Sequence, residues 1–205
     1  MGESLQDVYE ALLKARQGKP AVVNVPSMTF AMVDGVGDPN NSPTFTNAVE
    51  ALYTISYTSK FSLKKSGGGA FKVSPLEGLW WSRTGKNYLI AGVDKADFLW
   101  TLMIRQPPEV TAKVFRQSVT DAMEKKGNPA LATVRLEKFT EGRSAQIMHL
   151  GPYSAEQPTI QMLHDFIASQ GGTLTGKHHE IYLGDPRRAK PEKLKTIIRQ
   201  PFSTR

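Results

Sequence analysis

An α+β fold, with an antiparallel sheet and helices gathered on one of its faces, is what this sequence predicts, and three observations carry that expectation. The tetrapeptide Ile-Arg-Gln-Pro occurs twice, at Ile104–Pro107 and again at Ile198–Pro201. Counting backward from each copy, a Glu heads a short apolar strand, Glu77-Gly-Leu-Trp in one half and Glu180-Ile-Tyr-Leu in the other, and a helical pattern precedes each Glu. Upstream of each helix stands a strand that ends in a Gly and Pro turn, Met32–Pro39 against Ile147–Pro152. Such self-similar order reads as a duplicated βαββ module. Strands joined by turns pair antiparallel, and one helix per copy suits a sheet covered on one side. The two copies are expected to pack about a pseudo-twofold axis.

Local signals place each element. Residues 1–20, with Val8, Leu12 and Leu13 on a polar background, form a leading helix. The first module spans 21–109. In it Ser42 caps a helix with Pro43 at the first helical position, where a missing N–H costs nothing. That helix is expected to run to about Lys60 with Phe45, Ala48 or Val49, Leu52 and Ile55 or Ser56 as its inward stripe. Tyr53 and Tyr57 lie beside the stripe. A connecting segment, 110–130, reads as a helix from Thr111 to Lys126 with Phe115, Val119, Ala122 and Met123 inward, closed by Lys-Lys-Gly-Asn-Pro129. The second module, 131–205, opens with Leu131–Phe139. Its helix starts at a capping-box spacing, Ser154-Ala-Glu-Gln157, with Pro158 in the first turn. Ile160, Leu163, Phe166 and Ile167 make the stripe, and Gly171 and Gly172 end it. One compact domain results.

Composition narrows the function classes. The chain has 205 residues, 40% apolar and 22% charged, with no cysteine, which is ordinary globular composition and excludes disorder, collagen and coiled coil. No basic-then-apolar leader and no apolar run near membrane-spanning length occurs, so a cytoplasmic, non-membrane protein is expected. Gln6 stands where a myristoylation signal wants Ser or Thr. Of the net charge of +7, +5 lies from Leu183 onward, in Arg187, Arg188, Lys190, Lys193, Lys195, Arg199 and Arg205 against Asp185 and Glu192. No helix-turn-helix, zinc-finger or RNA-binding-sheet signature accompanies it. Direct sequence-specific nucleic-acid binding is therefore not expected; a solvated basic segment is the simpler reading, and docking on a DNA-associated partner is the alternative.

Chemistry concentrates on the two repeat-related glutamates. A strand sends residues of equal parity to one face, so Glu77 shares its face with Leu79 and Trp81, and Glu180 shares its own with His178 and Tyr182. A carboxylate among aromatic rings is rarely buried without a partner, and an apolar surround raises its pKa. The alternative is a surface or salt-bridged role, with Arg105 or Arg199 as the partner. Tyr53, Tyr57, Trp80, Trp81, Trp100, Tyr153 and Tyr182 crowd the same segments, and an aromatic cleft with a carboxylate suits flat, lipophilic and especially cationic ligands. His178 and His179 point to opposite strand faces and cannot share a metal. His149 reads as a hydrogen-bonded structural histidine or a ligand contact. Gly35-Val-Gly37 lacks a dinucleotide fingerprint, and Ser66-Gly67-Gly68-Gly69 lacks the end of a phosphate loop and reads as flexible. No nucleophile elbow occurs. Neither a metal nor a cofactor is expected.

Five strings, Val33–Asn40, Leu52–Phe61, Pro75–Trp81, Trp100–Pro107 and His178–Arg188, resemble stand-alone GyrI-like small-molecule-binding proteins over residues 19–203. The resemblance implies a duplicated βαββ module with a ligand cleft between the copies. It is similar to effector-binding domains of multidrug-responsive regulators, which take up lipophilic cations with a pocket glutamate and aromatic walls; Glu180 holds that position in the motif. Two activities follow from the resemblance: binding of flat lipophilic molecules for protection against toxins or drugs, and hydrolysis that opens the cyclopropane ring of DNA-alkylating natural products. For hydrolysis Glu180 would activate water, with Tyr57, Tyr153 or Tyr182 as supporting donors. Trp81 and Trp100 would stack on the ligand, and Glu77, Tyr53, His149 and His178 would complete the binding set.

Overall fold

The computed structural model of the chain describes residues 4–69, 71–83 and 95–204. The Met-Gly start and Arg205 lie outside the described residues. In chain order the elements are α1 (Leu5–Leu12), β1 (Ala21–Val25), β2 (Met28–Val36), α2 (Pro43–Lys65), β3 (Leu76–Ser82), β4 (Phe98–Arg105), α3 (Ala112–Lys125), β5 (Arg135–Phe139), β6 (Gly142–Leu150), α4 (Gln157–Ser169), β7 (Gly172–Leu174), β8 (His178–Tyr182) and β9 (Lys195–Thr204). Helices and antiparallel strands make an α+β protein, as the sequence predicts. They form two compact units, Met28–Phe139 and Met1–Ser27 with Thr140–Arg205.

In the Met28–Phe139 unit the strands run β3-β4-β2-β5, all antiparallel. Helix α2 begins as expected, with the Ser42 side chain accepting from the Phe45 N–H and Pro43 opening the helix. It continues past Lys60 to Lys65 because its stop signal is the glycine run itself. Gly67 takes φ of 81°, and the Gly68 and Gly67 N–H groups return to the carbonyls of Leu63 and Lys64 at 2.9 and 3.3 Å. The run expected to be flexible is thus a helix cap of the left-handed type. The helix buries Ala48, Ala51, Leu52, Ile55, Ser56 and Ser59. Each large aliphatic among them contributes about 1.5–3 kcal/mol by leaving water.

Two serines correct the stripe expected for α3. Met123 is 50% exposed, and the inward positions are Phe115, Ser118 and Ala122. Ser118 takes the inward place because α2 lies close: Ser59 donates its hydroxyl to Ser118 Oγ at 2.9 Å, and Ser118 in turn donates to the Val114 carbonyl at 2.9 Å. The segment expected to open with Leu131 begins with a 3₁₀ turn, Pro129–Thr133, capped by Asn128, before β5.

In the other unit the strands run β1-β6-β9-β8, antiparallel, with β7 pairing to the C-terminal end of β9. Helix α1 carries a capping box between Ser4 and Asp7 and buries Tyr9 and Leu12. Gln146 of β6 donates to the Leu12 carbonyl at 2.9 Å. Helix α4 covers the opposite face, where Thr159 meets His149 of β6. Its buried residues are Ile160, Leu163 and Ile167, while Phe166 is half-buried. The capping box expected at Ser154 does not form. Tyr153–Ala155 make a 3₁₀ turn, and Glu156 takes the cap position without a side-chain hydrogen bond to the helix.

Candidate functional site

Strand β8 builds the site by alternation. His178, Glu180 and Tyr182 project to one face, and His179 and Ile181 to the other. Register then sets the neighbours: Tyr182 lies opposite Thr196 of β9, and Thr196 opposite His149 of β6, so these three form one row across the sheet. In the next row Glu180 lies opposite Ile198, and Ile198 opposite Ile147. Tyr182 donates its hydroxyl to Glu180 Oε2 at 2.7 Å, and His178 Nε2 stands 3.2 Å from Glu180 Oε1. Glu180 is 8% exposed.

The turn between β6 and α4 brings a second carboxyl to this face. His149 Nδ1 lies 2.9 Å from Thr159 Oγ1, and its Nε2 lies 3.2 Å from the Pro152 carbonyl. A carbonyl only accepts, so Nε2 carries the hydrogen and Nδ1 accepts from the threonine. Tied at both ends of the ring, His149 pins the 151–159 turn to the sheet. That turn presents Tyr153, whose ring meets the Tyr182 ring edge-on at 5.5 Å, and then Glu156, buried at 4% exposure. Among the described residues no donor reaches Glu156 Oε1. Burial, reinforced by the Glu180 charge beside it, pushes the Glu156 carboxyl up to about 9, against the opposing pull of the Thr196 hydroxyl. His164 of α4 completes the surround: burial and then proximity to His178 lower its pKa.

The opposite face of the same strands carries a separate network. Glu141, with its side chain 1% exposed, stands 3.0 Å from His179 Nδ1 and accepts from Arg199 Nη1 at 3.0 Å. Arg199 also donates from Nε to Gln146 at 2.9 Å. Burial alone would raise the Glu141 carboxyl, but His179 and Arg199 outweigh it and bring it down to about 2. Arg199 is thus the partner of Glu141, and the Glu180–Arg199 ion pair considered from the sequence is not formed.

Of the candidates read from the sequence, the structure brings together Glu180, His178, Tyr182 and Tyr153, with His149 behind them. Glu77, Tyr53, Tyr57, Trp81 and Trp100 belong to the Met28–Phe139 unit. There Glu77 is 1% exposed on β3, opposite Met103. Tyr53, Tyr57 and Phe61 stack in a ladder along α2, with Tyr57 44% and Phe61 60% exposed. Trp81 is half-buried. Trp100 has no exposed surface; its ring lies against Gly35 and edge-on to Phe45, whose other neighbour is Trp80. Packing therefore occupies Trp100. In the basic segment Arg187 donates twice to Asp185, so part of that charge is neutralised locally.

Sequence reasoning missed Glu156 and Glu141. In the sequence Glu156 lies inside the capping-box spacing Ser154–Gln157, where an acid suits the helix dipole; its burial goes with the turn that His149 holds. Two carboxyls are thus buried together on this face, and one of them is pushed far above its usual range.

The chain is similar to an uncharacterized conserved protein from Listeria innocua, at 43% identity over 95% of this chain and 97% of that one, with a TM-score of 0.86. It is similar to a hydrolase from Listeria innocua, at 40% identity over 95% of this chain and 97% of that one, with a TM-score of 0.81. The C-terminal domain of EcmrR shares the fold at 12% identity, with a TM-score of 0.54 over 91% of this chain and 98% of that domain. No curated protein matches the chain. Residues 18–202 match the model of the GyrI-like small molecule binding domain, and the chain belongs to that family.

Proposed function

We propose that this small-molecule-binding protein takes up flat lipophilic compounds, cations among them, and hydrolyses those that carry a strained cyclopropane ring. One observation carries the reading: Glu180, a buried carboxylate, is held from both oxygens by Tyr182 and His178 beside the Tyr153 and Tyr182 rings. A carboxylate so fixed takes a proton from water as the water attacks the ring carbon. The rings of Tyr153 and Tyr182 supply flat apolar surface for the compound. Likeness to a hydrolase at 40% identity supports turnover over capture alone.

The test is a turnover assay with protein in substoichiometric amount and a spirocyclopropyl cyclohexadienone bearing an extended aromatic system. Hydrated, ring-opened product is followed by mass spectrometry. Product in excess of protein, abolished by Glu180→Gln while dye binding persists, supports the hydrolase. Compound recovered unchanged or consumed only stoichiometrically overturns hydrolysis. Fluorescence titration with lipophilic cationic dyes then tests capture, which fails if neither Glu180→Gln nor Tyr153→Ala alters any dye affinity.

A further inference from the structure

The carboxyl beside Glu180 is assigned no role by the reading above, and its setting is unusual. Glu156 is 4% exposed, its Oε1 has no donor among the described residues, and it stands at a helix cap where its side chain makes no hydrogen bond to the helix. A buried carboxylate oxygen left without a donor is costly. Protonation removes that cost twice over, by removing the charge and by creating a donor that the Glu180 carboxylate can accept from. The groups that face the pair agree. From β8 come His178 and the Tyr182 hydroxyl, both on Glu180; from β9 comes the Thr196 hydroxyl, beside Glu156; from the β6–α4 turn comes Tyr153. His149 is engaged by Thr159 and Pro152, and His164 of α4 lies toward His178. No cation in this set is placed on Glu156 to hold it ionised.

We infer that Glu156 holds the single proton of the carboxyl pair and is the catalytic acid that complements Glu180 in ring opening. The inference rests on the hydrolase reading of the same site. As the O–C bond forms at the ring carbon, the water proton passes to Glu180. The ring C–C bond breaks, and its electron pair moves through the conjugated dienone onto the carbonyl oxygen, which takes the proton from Glu156. The proton on Glu180 then crosses to the Glu156 carboxylate. One water has been added, with its hydroxyl on the ring carbon and a proton on the former carbonyl oxygen, the ring C–C bond is broken, no proton has been exchanged with solvent, and the pair is back in its starting state. Like charges at close range make such sharing of one proton the stable arrangement.

Two readings on the full-length protein test it. Infrared difference spectroscopy is expected to show a protonated-carboxyl stretch at neutral pH that Glu156→Gln removes. In the turnover assay Glu156→Gln is expected to lower kcat by about 100-fold or more, the usual scale for losing an acid catalyst, and to abolish the alkaline limb of the pH profile. Glu156→Asp restores part of both signals and serves in place of Glu156→Gln should that variant fail to fold. A carboxyl band that survives Glu156→Gln, or turnover that stays within about threefold of wild type with an unchanged pH profile, overturns the assignment. If the wild-type protein gives no turnover, the hydrolase reading falls and proton donation to the ring with it. Placement of the proton is then decided by the band alone: lost in Glu156→Gln it stands, absent from wild type it falls.

Discussion

Tyr182 and Glu180 stand two residues apart on one strand and meet through a 2.7 Å hydrogen bond from the phenol to Oε2. Alternation gives them a common face, and register places Tyr182 in one row with Thr196 and His149. Phenylalanine keeps the ring and its edge contact with Tyr153 but removes the donor. A hydrogen bond to a charged group contributes about 1.5–3 kcal/mol. Tyr182→Phe is therefore expected to make Glu180 easier to protonate and to move the acid limb of the kcat/KM profile to higher pH. An acid limb that stays in place would show that the phenol does not govern this carboxylate.

The stretch His178–Tyr182 was legible because strand alternation depends on local sequence alone, and alternation puts Glu180, His178 and Tyr182 on one face. The start of α2 was legible for the same reason: Ser42 and Pro43 are local signals. What stayed hidden depends on contacts distant in sequence. Trp100 looked like a ligand platform, yet Gly35, opposite it in register on β2, gives its ring a place in the core. Met123 looked inward until Ser59 of α2 claimed Ser118 as its neighbour. Glu156 carried no sequence mark at all, because its burial is imposed by His149 through Thr159 and Pro152.

Glu156 also makes stability depend on pH. Its folded value, raised from 4.5 to about 9 by burial and by Glu180, means the folded chain binds the proton more tightly than the unfolded one. The stabilising contribution is full below about 4.5 and is lost as pH rises through about 9. Glu156→Gln, which stays neutral throughout, is expected to flatten the fall in urea midpoint across that window. Parallel midpoint curves for the two proteins would count against a proton held at this site.

The Glu141 network has the opposite sign. Its folded value of about 2, below the usual 4.5, reflects His179 and Arg199 overcoming burial, so its contribution is present above about 4.5 and lost as pH falls through about 2. Removing one member of a buried ion pair typically costs about 3–5 kcal/mol, because the other charge stays buried. Glu141→Gln is expected to cost about that much at neutral pH by chemical denaturation, with the difference shrinking in acid. Because Glu141 acts on the face away from Glu180, the variant's kcat is expected to stay near wild type wherever it remains folded.

Gly35→Ala tests the core that holds β2 and β4 together. A Cβ at Gly35 would stand 2.0 Å from Trp100 Cη2 and 2.1 Å from Cζ2, far inside contact distance. The indole has little room to yield, since Trp100 has no exposed surface and its ring centre lies 5.2 Å from that of Phe45. Overpacking of this kind costs about 1–3 kcal/mol, and more where neighbours cannot shift. Trp100→Phe alone leaves a void and also destabilises, by the lost contacts of the missing ring. Together the two changes relieve one another, because the smaller ring vacates the space the new methyl needs. The double variant is therefore expected to be more stable than the sum of the single effects predicts, by urea denaturation, with a coupling of about 1 kcal/mol or more. Simple additivity would mean that β2 moves away from β4 to admit the methyl, and that the indole does not fix the spacing of these strands.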